Sequence, residues 1–143
     1  MLFRSPEDPL AKHRVALAGG SIERGREIFL TRSEVSCVRC HQVEGKGGAV
    51  GPDLSKIAKE KSREYLLESI AVPNAQIAKG FETLVVVTAD GRSYVGIAKE
   101  NDDKQLKLML ADGNLVTLKK SDTEETAKGQ SAMPADQIGR AHV

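Results

Sequence analysis

The chain has 143 residues, and its 21 basic and 20 acidic side chains give a formal net charge of +1. This length suits a single domain with a real hydrophobic core, and the balanced charge argues against nucleic-acid binding or a polybasic membrane arm. The sequence contains no run of about 18 apolar residues, so it predicts no membrane span. Only 3% of the residues are aromatic although 40% are hydrophobic, so large flat side chains that could fill a core are scarce.

The first part of the chain is predicted to be helical. Residues 1–20 are polar and include a short helical stretch; they are interpreted as a linker remnant, and they contain no recognisable signal peptide. A helix is expected to start after Ser21, which is a favourable N-cap residue. Gly25 lies in the apolar stripe of this helix with Ile22 and Phe29, and a glycine in such a position usually marks the close approach of another backbone.

The middle of the chain changes from helical to strand periodicity. A glycine-rich stretch, residues 34–51, is expected to be a loop, and a second helix is predicted to begin at Ser62 and stop before Pro73. Beyond it, apolar residues alternate and Asp-Gly pairs mark turns. The sequence therefore predicts a four-stranded antiparallel β insert at about residues 78–120, followed by one helical turn that ends near Glu125. The four predicted strands are residues 81–88, 92–98, 105–110 and 115–119.

The sequence Cys37-Val38-Arg39-Cys40-His41 is a C-x-x-C-H motif, which is typical of c-type haem attachment. At this spacing, the two thiols can reach the two vinyl groups of one porphyrin, and each forms a thioether. The adjacent His41 then lies under the iron and supplies an imidazole nitrogen as the proximal ligand. The motif therefore predicts one covalently bound haem c.

Three competing interpretations of the two cysteines are weaker. A thioredoxin-like redox pair would need a βαβ context, and none is predicted before Cys37. A structural zinc site would need four ligands, whereas the chain offers two cysteines and three scattered histidines. A chance occurrence of the motif is the third alternative.

Met133 is the candidate for the second axial ligand of the iron. Of the other two methionines, one starts the chain and Met109 falls on the face of a predicted strand opposite its leucines, where it is expected to pack. Met133 follows a loop of small residues and precedes Pro134, which favours an extended backbone at Met133 and stiffens the loop. His13 and His142 are rival ligands, although the simpler interpretation of each is a surface histidine.

Further residues of the site are predicted from the need to orient His41. A ligating imidazole usually donates its second N–H to a carbonyl oxygen or a carboxylate, and the rigid Gly51-Pro52 turn is placed to offer the carbonyl of Pro52. Leu54 and Phe29 are expected to pack on the porphyrin ring. An ordinary Gly-Pro turn before a helix is the alternative interpretation.

Taken together, these motifs resemble those of a class I cytochrome c. The resemblance covers about residues 21–134 and implies a mainly α-helical cytochrome c fold with a β insert, hence an α+β domain formed by residues 21–143. A longer run near the insert is similar to the haem-binding domain family of Planctomycetes and Verrucomicrobia. In that family, the resemblance implies a position at the end of large secreted proteins with a propeller-type dehydrogenase module and helical repeats. The motifs are Gly25-x-x-x-Phe29, Cys37-x-x-Cys40-His41, Gly51-Pro52-Asp53-Leu54, Met133-Pro134 and the run Pro73-Asn74-Ala75-x-Ile77-x-x-Gly80-Phe81-Glu82.

The sequence departs from the family pattern in three respects. Phe81 stands where the family usually has tyrosine. Thioethers form outside the cytoplasm, so without a signal peptide we expect a domain of a longer exported protein, located in the periplasm or elsewhere outside the cytoplasm. The C-terminal helix that would cross the first helix is missing or vestigial, which leaves the face of Ile22, Gly25 and Phe29 uncovered. We therefore expect a homodimer through this face or through the β insert, or a loosened haem pocket.

The sequence predicts an electron carrier rather than an enzyme. Haem iron held by Cys37 and Cys40, and ligated by His41 and Met133, would take single electrons from a fused or partner dehydrogenase and pass them on. Two other functions stay open. If Met133 does not bind, the iron could react with peroxide or sense a diatomic gas, and the β insert could be an interaction module with the haem as a structural element.

Overall fold

The computed structural model of the chain describes residues 8–141, so His142 lies outside the described residues. The helices of this part are α1 (Ile22–Thr31), α2 (Cys37–Cys40), α3 (Ile57–Glu60), α4 (Arg63–Ala71) and α5 (Gln137–Arg140), with 3₁₀ helices at Ala11–Leu17 and Lys120–Asp122. The strands are β1 (Gln42–Val43), β2 (Lys46–Gly47), β3 (Thr83–Thr88), β4 (Ser93–Asn101), β5 (Gln105–Met109), β6 (Leu115–Lys119) and β7 (Thr123–Lys128). Within residues 8–141, no helix is both long and apolar enough to cross a membrane.

Serine side chains cap the two longer helices. Ser21 Oγ accepts a hydrogen bond from the N–H of Arg24 at 3.2 Å, and Ser62 Oγ accepts one from the N–H of Tyr65 at 3.1 Å. Both bonds satisfy N–H groups that a helix start leaves unpaired. Both predicted helix starts are confirmed, and α4 ends before Pro73 as predicted.

The segment before α1 packs onto α4. Leu10 is only 2% exposed, and the guanidinium of Arg14 pairs with Asp8 at 2.8 Å and with Glu64 of α4 at 3.1 Å. Residues 8–17, part of the stretch interpreted from the sequence as a linker remnant, therefore contact α4. A single buried leucine in a polar stretch has no periodicity from which its burial could be predicted.

The five longer strands form one antiparallel sheet in the order β6-β5-β4-β3-β7. The first four follow the predicted hairpin order, but the sheet has a fifth strand. The predicted helical turn ends earlier than expected, in the 3₁₀ helix Lys120–Asp122. Residues 123–125 instead belong to β7, which pairs with β3 from Leu84↔Lys128 onward. Five of the six residues of β7 are exposed, so the strand lacks the apolar alternation on which the prediction depended. The insert is five-stranded and extends to Lys128, within the expected mixed α+β fold.

The main apolar cluster lies on one face of this sheet. It consists of Val86, Leu106, Leu108 and Leu118, with Leu84, Tyr94, Ala98, Leu110 and Val116 packed against it. Among the described residues outside the sheet, the buried hydrophobic side chains are Leu10, Val35, Val50 and Leu67. These four side chains lie outside the contiguous apolar cluster, which belongs to the sheet.

The outer face of α1 is open. Ile22 is 85% exposed, and a Cβ added to Gly25 would meet no atom within 4 Å. The predicted close approach of another backbone at Gly25 is therefore wrong. The C-terminal helix α5 is a single turn and packs against α4. This agrees with a vestigial C-terminal helix and an uncovered part of the α1 face.

The sheet lies next to α2. A Cβ on Gly113, in the turn between β5 and β6, would be 3.9 Å from Val50 Cγ2. A shallow cleft of about 380 Å³ is lined by Arg39 of α2 and by sheet residues that include Tyr94 and Asp112. The β insert therefore borders the cysteine-containing part of the chain.

Candidate functional site

The two cysteines occupy one helical turn. α2 begins at Cys37 and ends at Cys40, both thiols are free and partly exposed, and residues three apart are neighbours on a helix surface. The N–H of His41 donates to the carbonyl of Cys37 at 2.9 Å, after which the backbone becomes extended. The stretch predicted as a loop thus contains this helix and the small β1–β2 hairpin.

The cysteine environment disfavours a redox-active pair. Burial raises the pKa of the Cys37 thiol, the neighbouring Cys40 raises it further, and a backbone hydrogen bond opposes the change only in part. Reactive C-x-x-C pairs instead have a lowered thiol pKa, because the thiolate is the nucleophile. The raised pKa therefore favours the protonated thiol of Cys37 over the thiolate.

The donor set also disfavours a zinc site. Within residues 8–141, no three histidine, cysteine, aspartate or glutamate side chains come close enough together to bind a metal ion. A structural zinc site needs four such ligands. The cysteines and His41 therefore lack the partners that a zinc site requires.

His41 is oriented by the carbonyl predicted from the sequence. Its Nδ1 lies 2.8 Å from the carbonyl oxygen of Pro52. Because a carbonyl oxygen can only accept, Nδ1 carries a proton and donates it, so in the neutral imidazole the free lone pair is on Nε2. A neutral imidazole with this hydrogen bond is the form that ligates a metal.

Residues 47–54, called the cover below, pack over the C-x-x-C-H turn. Three N–H groups of the cover donate to carbonyl oxygens of the turn and the residue after it: Gly48 to Val38 at 2.8 Å, Gly51 to Cys40 at 2.7 Å and Leu54 to Gln42 at 2.8 Å. A Cβ on Gly51 would come within 2.7 Å of His41 Cε1, and one on Gly47 or Gly48 would collide with the carbonyl of His41 or Arg39. The glycines allow the cover to approach the turn more closely than any side chain would permit.

Met133 lies in a segment tied to the cysteine-containing part of the chain. Met133 is partly buried, and its N–H donates to Ser131 Oγ at 3.2 Å. Four residues further on, Gln137 Nε2 donates to the carbonyl of Val35 at 3.1 Å. Val35 stands two residues before Cys37, so the segment that contains Met133 reaches the start of the C-x-x-C-H turn.

The segment that contains His13, the rival ligand, contacts the N-terminal end of α4. His13 belongs to the 3₁₀ helix whose Arg14 pairs with Glu64 in the first turn of α4. The segment of Met133 is instead bonded to Asn74, beyond the last turn. α4 has nine residues and so is about 13 Å long, and the two segments contact its opposite ends.

Phe29 and Leu54 are both partly buried. Leu54 belongs to the glycine-rich cover, and Phe29 lies in α1, which packs against α2.

Two residues that connect the Met133 segment to the rest of the chain were not predicted from the sequence. Gln137 carried no signal, and Asn74 was visible only as one position of the run similar to a known family.

The residues present are suited to a c-type haem. Two thiols lie on one helical turn and an adjacent imidazole is held with one nitrogen free. Glycines shape the cover around it, and a methionine thioether stands on a segment tied to the same turn. Covalent attachment uses the thiols, while imidazole and thioether are established axial ligands of cytochrome iron.

Comparison with known proteins supports this assignment. A family model described as cytochrome c matches residues 22–140, which is well over half of the chain. No curated protein matches the chain. The matched range includes the C-x-x-C-H turn, the cover, the β insert and Met133, and the chain therefore belongs to the cytochrome c family, whose members bind haem c covalently.

Proposed function

We propose that this chain is a one-haem electron carrier in which Cys37 and Cys40 form the thioethers and His41 and Met133 are the axial ligands of the iron. The observation that carries the proposal is the 2.8 Å contact between His41 Nδ1 and the carbonyl oxygen of Pro52. This contact fixes the tautomer in which Nε2 is free. His41 itself directly follows the helical turn that contains the two thiols. When bound, the haem supplies the redox chemistry by alternating between its ferric and ferrous states.

The chain would orient the ligands and set their properties. The carbonyl of Pro52 holds the plane of the His41 ring and increases its basicity as a ligand. Gly51 permits the cover to lie directly against that ring. Met133 contributes a thioether, which raises the reduction potential relative to a second imidazole.

Two apolar side chains would exclude water from the porphyrin ring. Leu54 comes from the cover and Phe29 from α1, and both are partly buried by the protein alone. Exclusion of water and burial are further means by which a protein adjusts the potential of its haem. No proton or group transfer is needed for this function.

Visible spectra of the haem-loaded protein, oxidised and reduced, test the axial ligands. We expect a low-spin spectrum with the charge-transfer band of a thioether bound to ferric iron. Met133→Leu should remove this band because leucine has no sulfur. Met109→Leu is the matched control, since Met109 belongs to β5 of the sheet, and it should leave the band unchanged. A high-spin spectrum of the unchanged protein would contradict the proposal and favour an iron that reacts with peroxide or a gas.

The covalent attachment has a separate test. On a denaturing gel, the haem should remain with the chain. It should be lost from the double variant Cys37→Ser, Cys40→Ser, because neither serine forms a thioether. Retention of haem by the double variant would exclude the proposed attachment.

We also propose a narrower family, a domain arrangement and a location. The run from Pro73 to Glu82 and the β insert support membership of the haem-binding domain family of Planctomycetes and Verrucomicrobia. In this proposal, residues 21–143 form the haem domain of a longer protein exported to the periplasm or beyond. A dehydrogenase, fused or separate, is the proposed electron donor, since a cytochrome c exchanges electrons with a redox partner.

The gene that encodes the chain tests this second proposal. We expect an export signal in the same reading frame, and a dehydrogenase module either there or in a neighbouring gene. Rapid reduction of the haem by that dehydrogenase and its substrate would support the assigned donor. An open reading frame with no export signal would contradict the proposed location.

A further inference from the structure

The turn after α4 forms a fixed platform. The N–H of Val72 donates to the carbonyl of Glu68 at 2.7 Å, and that of Ala75 donates to Val72 at 2.9 Å. Pro73 is buried, and its ring restricts the backbone. Asn74 therefore projects from a part of the chain that is held by its own hydrogen bonds.

Asn74 contacts the segment that contains Met133. Its side-chain oxygen Oδ1 lies 2.6 Å from the backbone nitrogen of Ser131, 57 residues further along the chain. The partner is an N–H group, so the atom of the Asn74 amide that faces it must be the oxygen. Ser131 Oγ in turn accepts the N–H of Met133 at 3.2 Å. Two consecutive hydrogen bonds thus connect Asn74 to the backbone of Met133.

The ends of the same segment are anchored elsewhere. At its start, the N–H of Gly129 donates to the carbonyl of Thr83 at 2.8 Å, and a Cβ on Gly129 would come within 2.9 Å of the Thr83 side chain. At its end, Gln137 donates to Val35. The contact to Asn74 falls between these anchors, two residues before Met133.

We propose that Asn74 is a positioning residue for the second axial ligand. It fixes Ser131, and through Ser131 it sets the backbone of Met133 so that the thioether faces the iron. This inference rests on the proposed role of Met133 as a ligand. Without the contact, the segment stays anchored at both ends but its middle is free to move, and Met133 leaves the iron more often.

Competition by imidazole on the haem-loaded ferric protein measures how often Met133 leaves. Imidazole binds the iron only where the thioether has dissociated, so its apparent affinity scales with the open fraction. Asn74→Leu keeps the size of the side chain and removes the acceptor. We expect imidazole to bind this variant about three- to tenfold more tightly, as the loss of one hydrogen bond predicts.

Three further variants make the result specific. Asn74→Asp keeps an oxygen acceptor for the N–H of Ser131 and should restore an affinity close to that of the unchanged protein. Ser131→Ala keeps the contact to Asn74 but removes the acceptor for Met133, and should also raise the affinity. Asn114→Ala, in a sheet turn, is the matched control for loss of an asparagine and should have no effect.

The outcomes distinguish failure of this inference from failure of the proposed ligand. If the unchanged protein lacks the thioether band, and Met133→Leu binds imidazole no more tightly than it does, then Met133 is not the ligand. If the band is present and Met133→Leu binds imidazole more tightly, but Asn74→Leu and Ser131→Ala behave as the unchanged protein does, the role of Asn74 is overturned. Should Asn74→Leu not fold, Asn74→Ala, which also removes the acceptor for the N–H of Ser131, takes its place.

Discussion

Gly51 lies against the imidazole of His41, so its missing side chain is part of the candidate site. The N–H of Gly51 donates to the carbonyl of Cys40, and the next residue supplies the carbonyl that accepts from His41. Gly51 therefore anchors the cover, leaves space for the imidazole of His41 and positions Pro52.

We predict that Gly51→Ala lowers the free energy of unfolding of the haem-loaded protein by about 1–3 kcal/mol, the usual cost of overpacking. The new Cβ would lie 2.7 Å from His41 Cε1, so the ring must rotate and its bond to Pro52 must weaken. Guanidinium denaturation measures the change. Gly25→Ala is the matched control: no atom lies near that position, and alanine in a helix should stabilise by up to about 1 kcal/mol. Equal effects of the two variants would contradict the prediction.

The sequence was most informative about residues that act over short distances. The C-x-x-C-H turn and the carbonyl of Pro52 were predicted because their chemistry requires a fixed local spacing. The contacts of Asn74 with Ser131 and of Gln137 with Val35 join residues 57 and 102 positions apart. No local pattern encodes such pairs, so they became visible only in the folded chain.

Aspartates stabilise three turns of the sheet. In each turn, the Asp Oδ1 accepts the N–H of the residue two positions later: Asp90 from Arg92, Asp102 from Lys104 and Asp112 from Asn114. The pKa of each carboxyl is lowered below its ordinary value, mainly by a threonine hydroxyl at Asp90 and by backbone N–H groups at Asp102 and Asp112. The charged form is therefore favoured by the folded turn.

We predict that these turns make the sheet less stable in acid. A pKa that is lower in the folded state means a contribution that is complete above the ordinary Asp pKa of about 4. This contribution is lost as the pH falls through the lower folded values. The triple variant Asp90→Asn, Asp102→Asn, Asp112→Asn keeps the oxygen acceptors but cannot ionise, so its stability should vary less with pH in this range. Thermal unfolding followed by strand circular dichroism measures this.

A control variant distinguishes the effect of the turn carboxylates from the effect of net charge. Asp103→Asn removes one negative charge next to Asp102, and it should leave most of the acid dependence in place. An unchanged pH profile in the triple variant would show that the turn carboxylates are not its source.

Elements were predictable where sequence pattern and burial coincide. β3 is a run of apolar, mostly β-branched residues, and β5 alternates apolar and polar residues. Asp-Gly or similar turns separate the four hairpin strands, and their order was predicted correctly. β7 has an exposed, polar sequence and forms because β3 offers a free edge to pair with. A strand that depends on its neighbour rather than on its own pattern cannot be recognised alone.

The whole molecule combines two unequal cores. The sheet buries Val86, Leu106 and Leu108 completely or nearly so, whereas the helices around the C-x-x-C-H turn bury few apolar side chains among the described residues. A covalently bound porphyrin would supply the large flat apolar body that a chain with 3% aromatic residues lacks.

We predict that the haem-free double variant Cys37→Ser, Cys40→Ser keeps its sheet and loses stable helices. Hydrogen exchange should show protected amides in β3, β4 and β5, and rapid exchange in α1 and α4, because each region relies on its own core. The haem-loaded protein is the control, in which α4 should be protected. Protection of α4 in the haem-free variant would show that the helices do not need the porphyrin.

We predict weak self-association through the open face of α1. Ile22 and Val15 are almost equally exposed, at 85% and 84%, but only Ile22 belongs to α1. Ile22→Glu should abolish association measured by sedimentation at high protein concentration, because a buried charge is costly. Val15→Glu is the matched control and should not. A sharp monomer at high concentration in the unchanged protein would contradict the prediction.

The pairing of β7 with β3 also sets an order of events in folding. His41 and Pro52 are 11 residues apart, so their contact closes a short loop early. Met133 follows a strand that pairs across the whole insert, and closing a longer segment costs more entropy and is slower. With Met133 as the proposed ligand, we expect its ligation to be the last step of refolding, and we expect the return of its absorption band to report closure of the sheet.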